Sequence, residues 1–182
     1  DDVEELKKEI KKLLDDHKKL SKELNEDIER LLREHRKLSE EIDRRLEKLL
    51  KELEELVRRE GPVEESLRKA KEDIDRLLEE SKRHSEDLRR RLKELLDRSK
   101  KHSEEVKERL ERLLREVERK GLPKELLDEV ERVVREAKKT LDRVDEENKK
   151  SIEDAERELE RMDRKNEKSV EDVRRTAKEL LR

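Results

Sequence analysis

The sequence predicts an all-α protein, a straight, antiparallel, up-down-up bundle of three helices. Three observations predict this fold. Charged residues make up 60% of the 182-residue chain, yet 53 Lys and Arg nearly balance 56 Asp and Glu, leaving a net charge of −3. The apolar residues (28%) recur with helical periodicity, and Gly and Pro occur only twice each. So charged a composition can indicate disorder, but balanced charge together with a periodic apolar stripe is typical of long packed helices.

The positions of Gly and Pro divide the chain. Gly61 precedes Pro62, and Gly121 precedes Pro123 by two residues. Gly tolerates the left-handed conformation that ends a helix, and Pro is tolerated in the first turn of the next one. We therefore expect one domain over residues 1–182, with helices at about 2–60, 62–120 and 123–182. Connections this short favour antiparallel neighbours.

Within the first two helices the sequence repeats itself in consecutive modules of equal length. Leu13–Arg30 aligns with Leu31–Lys48, and Leu77–Glu94 aligns with Leu95–Arg112. Because a module of this length makes about five helical turns, a stripe with this period stays on one face of a straight helix. A heptad repeat would instead require a left-handed supercoil.

Polar residues occupy this stripe in the central repeats, where outer repeats carry apolar ones. His17 and His35 share a position with Leu53, and Asn148 and Asn166 share one with Val130. Serines follow the same rule: Ser81 and Ser99 align with Val63 and Val117, Ser85 and Ser103 with Leu67, and Ser151 and Ser169 with Val133. The regular replacement indicates a pattern of polar positions within an apolar core.

Antiparallel pairing about the two turns gathers these residues into two polar layers, about 27 Å apart along the helices. The first predicted layer contains His17, Ser21, Ser99, His102, Ser103 and Asn148, with Ser151 at its edge. The second contains His35, Ser39, Ser81, His84, Ser85 and Asn166, with Ser169 nearby. Asn25 and Thr140 lie at the margin of the stripe, and charged runs such as Arg89–Arg91 are expected to face solvent.

These layers are expected to be structural. An unpaired buried polar group costs about 1–3 kcal/mol, so the groups must bond to one another, and a slipped register would separate them. Zinc requires three or four ligands at one point, whereas each layer offers two histidines, so no metal or cofactor is expected. Catalysis by a Ser–His pair needs a cleft and an oxyanion hole, so no enzyme is expected.

A pH response is a further hypothesis. Burial opposes the charging of histidine, so acid should favour the unfolded or opened state below about pH 6.5.

No partner is required by the sequence. About 60 inward positions match the supply of about 65 apolar and polar stripe residues, so one chain closes its own core. We expect a monomer, with a homo-oligomer as the alternative. Mixed charge and the absence of aromatic residues argue against nucleic acid, and no apolar run long enough for a membrane span or signal peptide occurs.

Taken together, the near-identical sequence modules, the Gly and Pro connectors, the missing aromatics and the buried His, Ser and Asn resemble a computationally designed three-helix bundle with buried hydrogen-bond networks. The resemblance covers the whole chain. It implies a structural scaffold without natural activity. The alternatives are an interaction module that exchanges helices or assembles in response to pH, and a natural spectrin-like spacer, which the repeated modules make a poor fit.

Overall fold

The computed structural model describes residues 2–61 and 64–180, without the side chain of Leu67. It contains three α-helices: α1 (Asp2–Glu60), α2 (Glu64–Arg119) and α3 (Lys124–Leu180). No strand occurs within these described ranges. The predicted all-α, three-helix fold is therefore confirmed. The expected start of the second helix at Pro62 and the end of the third at 181–182 lie outside the described residues.

Glycine ends the first two helices as the sequence predicts. Gly61 has φ of 77° and Gly121 has φ of 65°, both in the left-handed region. The Gly61 N–H donates to the backbone carbonyl four residues earlier at 2.9 Å. The carbonyl of Pro123 accepts the Leu127 N–H at 3.0 Å, so α3 begins one residue later than expected. The second helix ends one residue before Lys120, a difference within the usual fraying of helix ends.

The chain packs as two compact units, each containing a segment of every helix. Unit 1 comprises Asp1–Ile28 and Leu92–Glu153, and unit 2 comprises Glu29–Arg91 and Asp154–Arg182. Unit 1 contains the α2–α3 turn and unit 2 contains the α1–α2 turn. The single domain over the whole chain stays a prediction.

Within each unit, α1 runs antiparallel to α2 and parallel to α3. Residue numbers that rise along α1 fall along α2 and rise along α3 in the contacting pairs. In unit 1 these pairs are Glu9–Arg109 and His17–His102 for α1 with α2, and Lys7–Glu129 and Ser21–Asn148 for α1 with α3. In unit 2 they are His35–His84 and Arg45–Glu80, and Arg36–Glu158 and Ser39–Asn166. The up-down-up order is therefore confirmed.

Aliphatic side chains from all three helices fill the interior of each unit. The main cluster of unit 1 contains Val3, Leu6, Ile10, Val106, Leu110, Leu113, Val117, Val130, Val134, Ala137 and Leu141. Unit 2 contains one cluster of Ile42, Leu46, Ile74, Leu77 and Val170 and another of Leu53, Ala70 and Ala177. Among the described residues, no large hydrophobic side chain is exposed. None of the described helices combines the length and apolar character that crossing a bilayer requires.

Candidate functional site

Each unit contains in its core one network of polar side chains, which consists of two adjoining hydrogen-bonded clusters. Network 1, in unit 1, consists of His17, Ser21, Ser99, His102, Ser103, Asp145 and Asn148. Network 2, in unit 2, consists of His35, Ser39, Ser81, His84, Ser85, Asp163 and Asn166. Corresponding members on each helix are separated by one sequence module, so the repeat of the sequence becomes a repeat of the site.

The first half of network 1 joins two imidazoles to a carboxylate. His17 Nδ1 lies 2.9 Å from His102 Nδ1, and His17 Nε2 lies 3.0 Å from Asp145 Oδ1. The second oxygen of Asp145 accepts a hydrogen bond from the Ser103 hydroxyl. One carboxylate from α3 therefore receives donors from both α1 and α2.

The carboxylate determines which nitrogen carries each proton. Because ionised Asp145 can only accept, His17 Nε2 must be the donor in that bond. A neutral His17 then has a bare Nδ1, which accepts, so His102 Nδ1 must carry a proton and donate. The chain of donation therefore runs from His102 through His17 to Asp145.

The ring geometry supports a hydrogen bond rather than face stacking. The ring centroids of His17 and His102 are 5.1 Å apart, and the ring planes differ by 4°. Stacked rings would hold their atoms at about 3.5 Å or more, whereas the two Nδ1 atoms are 2.9 Å apart. An in-plane N–H···N bond fits these values, since the lone pair of a ring nitrogen lies in the ring plane.

The second half of network 1 is a single amide bridging two hydroxyls. The Ser21 hydroxyl donates to Asn148 Oδ1, and Asn148 Nδ2 donates to Ser99 Oγ at 2.9 Å. Again α3 supplies the central group and α1 and α2 supply the flanks.

Helical spacing explains why the two halves of network 1 adjoin. His17 precedes Ser21 by four residues on α1, and Ser99 precedes Ser103 by four on α2. Residues three or four apart are neighbours on one helix face. α1 and α3 therefore contribute one residue to each half, whereas α2 contributes His102 and Ser103 to the imidazole half and Ser99 to the amide half.

Network 2 repeats this arrangement with one addition. The His35 Nδ1–His84 Nδ1 distance is 2.8 Å, and His35 Nε2 lies 3.1 Å from Asp163 Oδ1. Ser85 donates to the other oxygen of Asp163, which also accepts a bond from Arg89 Nη2 at 3.1 Å. At the position of Arg89 in the other repeat stands a lysine, which contacts a different carboxylate, so network 1 has no equivalent of this bond.

The central groups of both networks are almost completely buried. His17 and His35 are 1% and 0% exposed, and Asn148 and Asn166 are each 1% exposed. His84, by contrast, is half-buried.

Burial shifts the titration of these groups. Burial lowers the pKa of His17, and the positive charges of His102 and Lys107 lower it further, although the bond to Asp145 opposes this shift. Burial also lowers the pKa of His84. Burial alone would raise the pKa of Asp163, but hydrogen bonds from His35 and Ser85 outweigh it and hold that pKa below its usual value.

Most of the predicted polar residues meet in these networks, and two serines do not. Ser151 is half-buried and donates to the backbone carbonyl of Glu147, one turn earlier on its own helix, at 3.0 Å. Ser169 is also half-buried, and in the described part of the chain it bonds to no network side chain. Thr140 likewise donates to the backbone of its own helix. These residues belong to the edge of α3 rather than to the polar layers.

Sequence reasoning missed the two network aspartates, Asp145 and Asp163, and the bond that Arg89 makes to Asp163. Arg89 is exposed, as expected, and it also bonds to Asp163. A signal for the two aspartates was present, because each stands three residues before a stripe asparagine and the two occupy equivalent places in the repeat. A chain with 60% charged residues hides such a signal among solvated carboxylates.

The position that follows each network on α1 differs between the units and gives a prediction. In unit 1, Asn25 Nδ2 donates to the Ser21 carbonyl at 2.9 Å. The aligned residue in unit 2 is Asp43, whose Oδ1 is buried without a hydrogen-bond partner. We expect Asp43→Asn to raise the free energy of unfolding by about 1 kcal/mol, because an amide can donate where a carboxylate cannot. Urea denaturation followed by circular dichroism measures it.

The reverse substitution is the matched control. Asn25→Asp should lower the free energy of unfolding by a similar amount, since it removes the donor and buries an acceptor beside a carbonyl. Equal effects of the same sign at the two sites would contradict this account of the position.

The networks are arranged for hydrogen bonding and proton uptake. Among the described residues, no group of three or more His, Asp or Glu side chains is arranged to hold a metal ion. The hydroxyls of Ser103 and Ser85 donate to carboxylates rather than to imidazole. In neither network does a histidine therefore accept the proton of this serine.

Comparisons with known proteins give a likeness to a solved structure. The chain is similar to a solved structure described as a computationally designed three helix bundle, with 23% sequence identity and a TM-score of 0.42, over 98% of this chain and 84% of that chain. No protein-family model matches the chain, and no curated protein sequence matches it.

Proposed function

We propose that this chain is a designed structural scaffold without natural biochemical activity, in which the two networks specify the topology and register of the helices. The observation that carries the proposal is the placement of Asn148. Its Oδ1 accepts from Ser21 on α1 and its Nδ2 donates to Ser99 on α2. A single buried amide thus joins three helices.

The repeat makes such a device necessary. Because the apolar stripe recurs in every module, aliphatic side chains would again face aliphatic side chains if one helix slipped by one repeat. A slip of α2 against α1 by one repeat would still pair His17 with His84, but it would leave His35 and His102 without their imidazole partners. Buried polar groups without hydrogen-bond partners cost about 1–3 kcal/mol each, so the networks disfavour the slip.

The absence of catalysis is part of the proposal. Its support is the direction of the serine bonds, which point to carboxylates, and the burial of the central imidazoles. A nucleophile needs an adjacent base and access to substrate.

A monomer is likewise proposed. The described surface has no exposed large hydrophobic side chain that would drive association, which disfavours the alternative of an interaction module. Light scattering should give a single mass near 22.2 kDa. Multiples of that mass would favour an oligomer.

Register can be tested with introduced cysteines, because the chain itself has none. Glu9→Cys with Arg109→Cys reports the observed register, since these side chains contact at 2.8 Å. Glu9→Cys with Arg91→Cys reports a slip by one repeat. With a short bifunctional maleimide, we expect crosslinking of the first cysteine pair and little of the second, because a slip leaves buried polar groups without hydrogen-bond partners.

The comparison is an apolar variant of both cysteine pairs. In it, each network residue takes the apolar residue found at its position in an outer repeat, such as Leu for His17 and Val for Asn148, with Leu at His84 and His102. We expect this variant to stay helical and at least equally stable, but to crosslink in both registers. A variant that crosslinks only in the observed register would show that the networks do not set it, and the proposal would fail.

A further inference from the structure

We propose that each histidine pair is a one-proton store: it takes up one proton from water with all its hydrogen bonds intact, and a second proton forces the pair apart. The inference concerns His17 with His102 and His35 with His84. It follows from the facing Nδ1 atoms of each pair and from the carboxylate behind the buried ring.

In the neutral state one hydrogen lies between the two rings of network 1. His102 Nδ1–H donates to His17 Nδ1, and His17 Nε2–H donates to Asp145. The nitrogen left without a proton is His102 Nε2, on the half-buried ring. The free lone pair is therefore on the ring nearer to water.

The first added proton binds to that lone pair. His102 then carries hydrogens on both nitrogens, and its Nδ1–H still donates to His17. The hydrogen between the rings can also shift to His17 Nδ1, which leaves His102 neutral with its proton on Nε2. In either form one hydrogen joins the two Nδ1 atoms, the positive charge faces the negative charge of Asp145, and no bond is lost.

The second proton has no such place. Both Nδ1 atoms would carry hydrogens, and these would point at each other across the 2.9 Å gap between the nitrogens. Two positive charges would then face one carboxylate in a buried site. The two rings must then separate, and the helices that carry the rings must move apart as well.

The charged groups around the pairs differ. Asp145 from α3 and Lys107 from α2 act on His17. Glu34 from α1, together with Asp87 and Arg91 from α2, acts on His84.

In network 2, Arg89 from α2 also bonds to Asp163 from α3, the carboxylate that accepts from His35. The carboxylate of network 2 is thus already partly neutralised. We therefore expect the two pairs to take up their first protons at different pH values.

The test uses the intact chain with 15N-labelled histidine, whose four rings all belong to the two pairs. Proton–nitrogen correlation spectra from pH 8 to pH 3 identify which ring nitrogens are protonated. At pH 8 we expect Nε2–H on His17 and His35, and Nδ1–H on His84 and His102. On acidification each pair should gain one proton while the interhelical NOE contacts of its rings persist. Those contacts should vanish when the pair takes up a second proton.

Asp145→Asn is the discriminating variant. The amide oxygen can still accept from His17 and the amide nitrogen can donate to the Ser103 hydroxyl, but the negative charge is gone. The first uptake by the His17–His102 pair should shift to lower pH by about 1–3 units, with the His35–His84 pair unmoved as an internal control. A role in packing alone would change stability without moving this pH.

Several results would overturn the proposal. These are the same tautomer on both rings of a pair at pH 8, loss of ring contacts with the first proton, two charged rings with contacts intact, or an unchanged first uptake in Asp145→Asn.

Discussion

Replacing Asp145 with Ala is expected to lower the free energy of unfolding by about 2–3 kcal/mol. The carboxylate is the shared acceptor of His17 Nε2–H and the Ser103 hydroxyl. Without it, two donors in the core lose their partner, and hydrogen bonds to charged groups are worth about 1.5–3 kcal/mol. Since the Asp145 side chain is 25% exposed, water can reach part of the site, so the expected loss is below the sum of two such bonds.

A neighbouring carboxylate on the same helix supplies the control. Asp142 contacts Lys107 but is 65% exposed, so Asp142→Ala should change the free energy of unfolding by no more than about 0.5 kcal/mol. Both variants can be unfolded in urea and followed by helical circular dichroism, because the chain has no aromatic residue for fluorescence. Similar losses in the two variants would show that Asp145 acts as an ordinary surface charge.

Replacing every residue of network 1 tests whether stability depends on paired hydrogen-bonding groups rather than on the presence of polar side chains. Changing the whole of network 1 to apolar residues should recover the stability that Asp145→Ala loses, because no donor or acceptor is then left unpaired. The recovered protein would be stable yet would lack one of the two networks that distinguish one register from another. Stability and specificity are therefore expected to separate in this chain.

The sequence predicted the helices and most of the networks for simple physical reasons. Only Gly accepts the left-handed conformation without strain, so Gly61 and Gly121 located the turns. The repeating stripe placed His17 and Asn148 on the inward face. Pairing about the turns placed His17 opposite position 105, about three residues from His102, because turn length and the lean of side chains along a helix are not fixed by the pattern.

Two parts of the site escaped the pattern for different reasons. Ser151 lies on the stripe, but a helical serine can satisfy its hydroxyl with a carbonyl one turn back, as Ser151 does with Glu147. Asp145 lies beside the stripe and reaches inward, which periodicity of apolar residues cannot show. Whether a polar residue joins a network thus depends on how far its side chain reaches, whereas the sequence pattern shows only which face of the helix the residue occupies.

Acid is expected to destabilise this protein in two pH ranges. Burial holds the pKa values of His17 and His84 below the ordinary 6.5, so near and below pH 6.5 the unfolded chain binds protons that the folded chain does not. Stability is fully present above that pH and falls as the pH drops toward the folded values. While one histidine is charged only in the unfolded chain, the free energy of unfolding falls by about 1.4 kcal/mol per pH unit.

The second range involves Asp163. Bonds from His35 and Ser85 hold its pKa below the ordinary 3.8, so it stabilises the folded state above about pH 3.8, and that contribution is lost as the pH falls further. Both effects have the same sign, and they are separated in pH. Urea midpoints should therefore decline from pH 7 to pH 4.5 and decline again below pH 4.

Replacing all four histidines with Gln gives the control for the first range. Glutamine can donate to Asp145 and Asp163 as the imidazoles do, but it does not titrate, so the decline between pH 7 and pH 4.5 should disappear while the decline below pH 4 remains. Equal urea midpoints for the unsubstituted chain at pH 7 and pH 4.5 would contradict the prediction. An undiminished decline in the glutamine variant would instead assign it to the surface carboxylates, which would then have to bind protons more weakly in the folded chain than their exposure suggests.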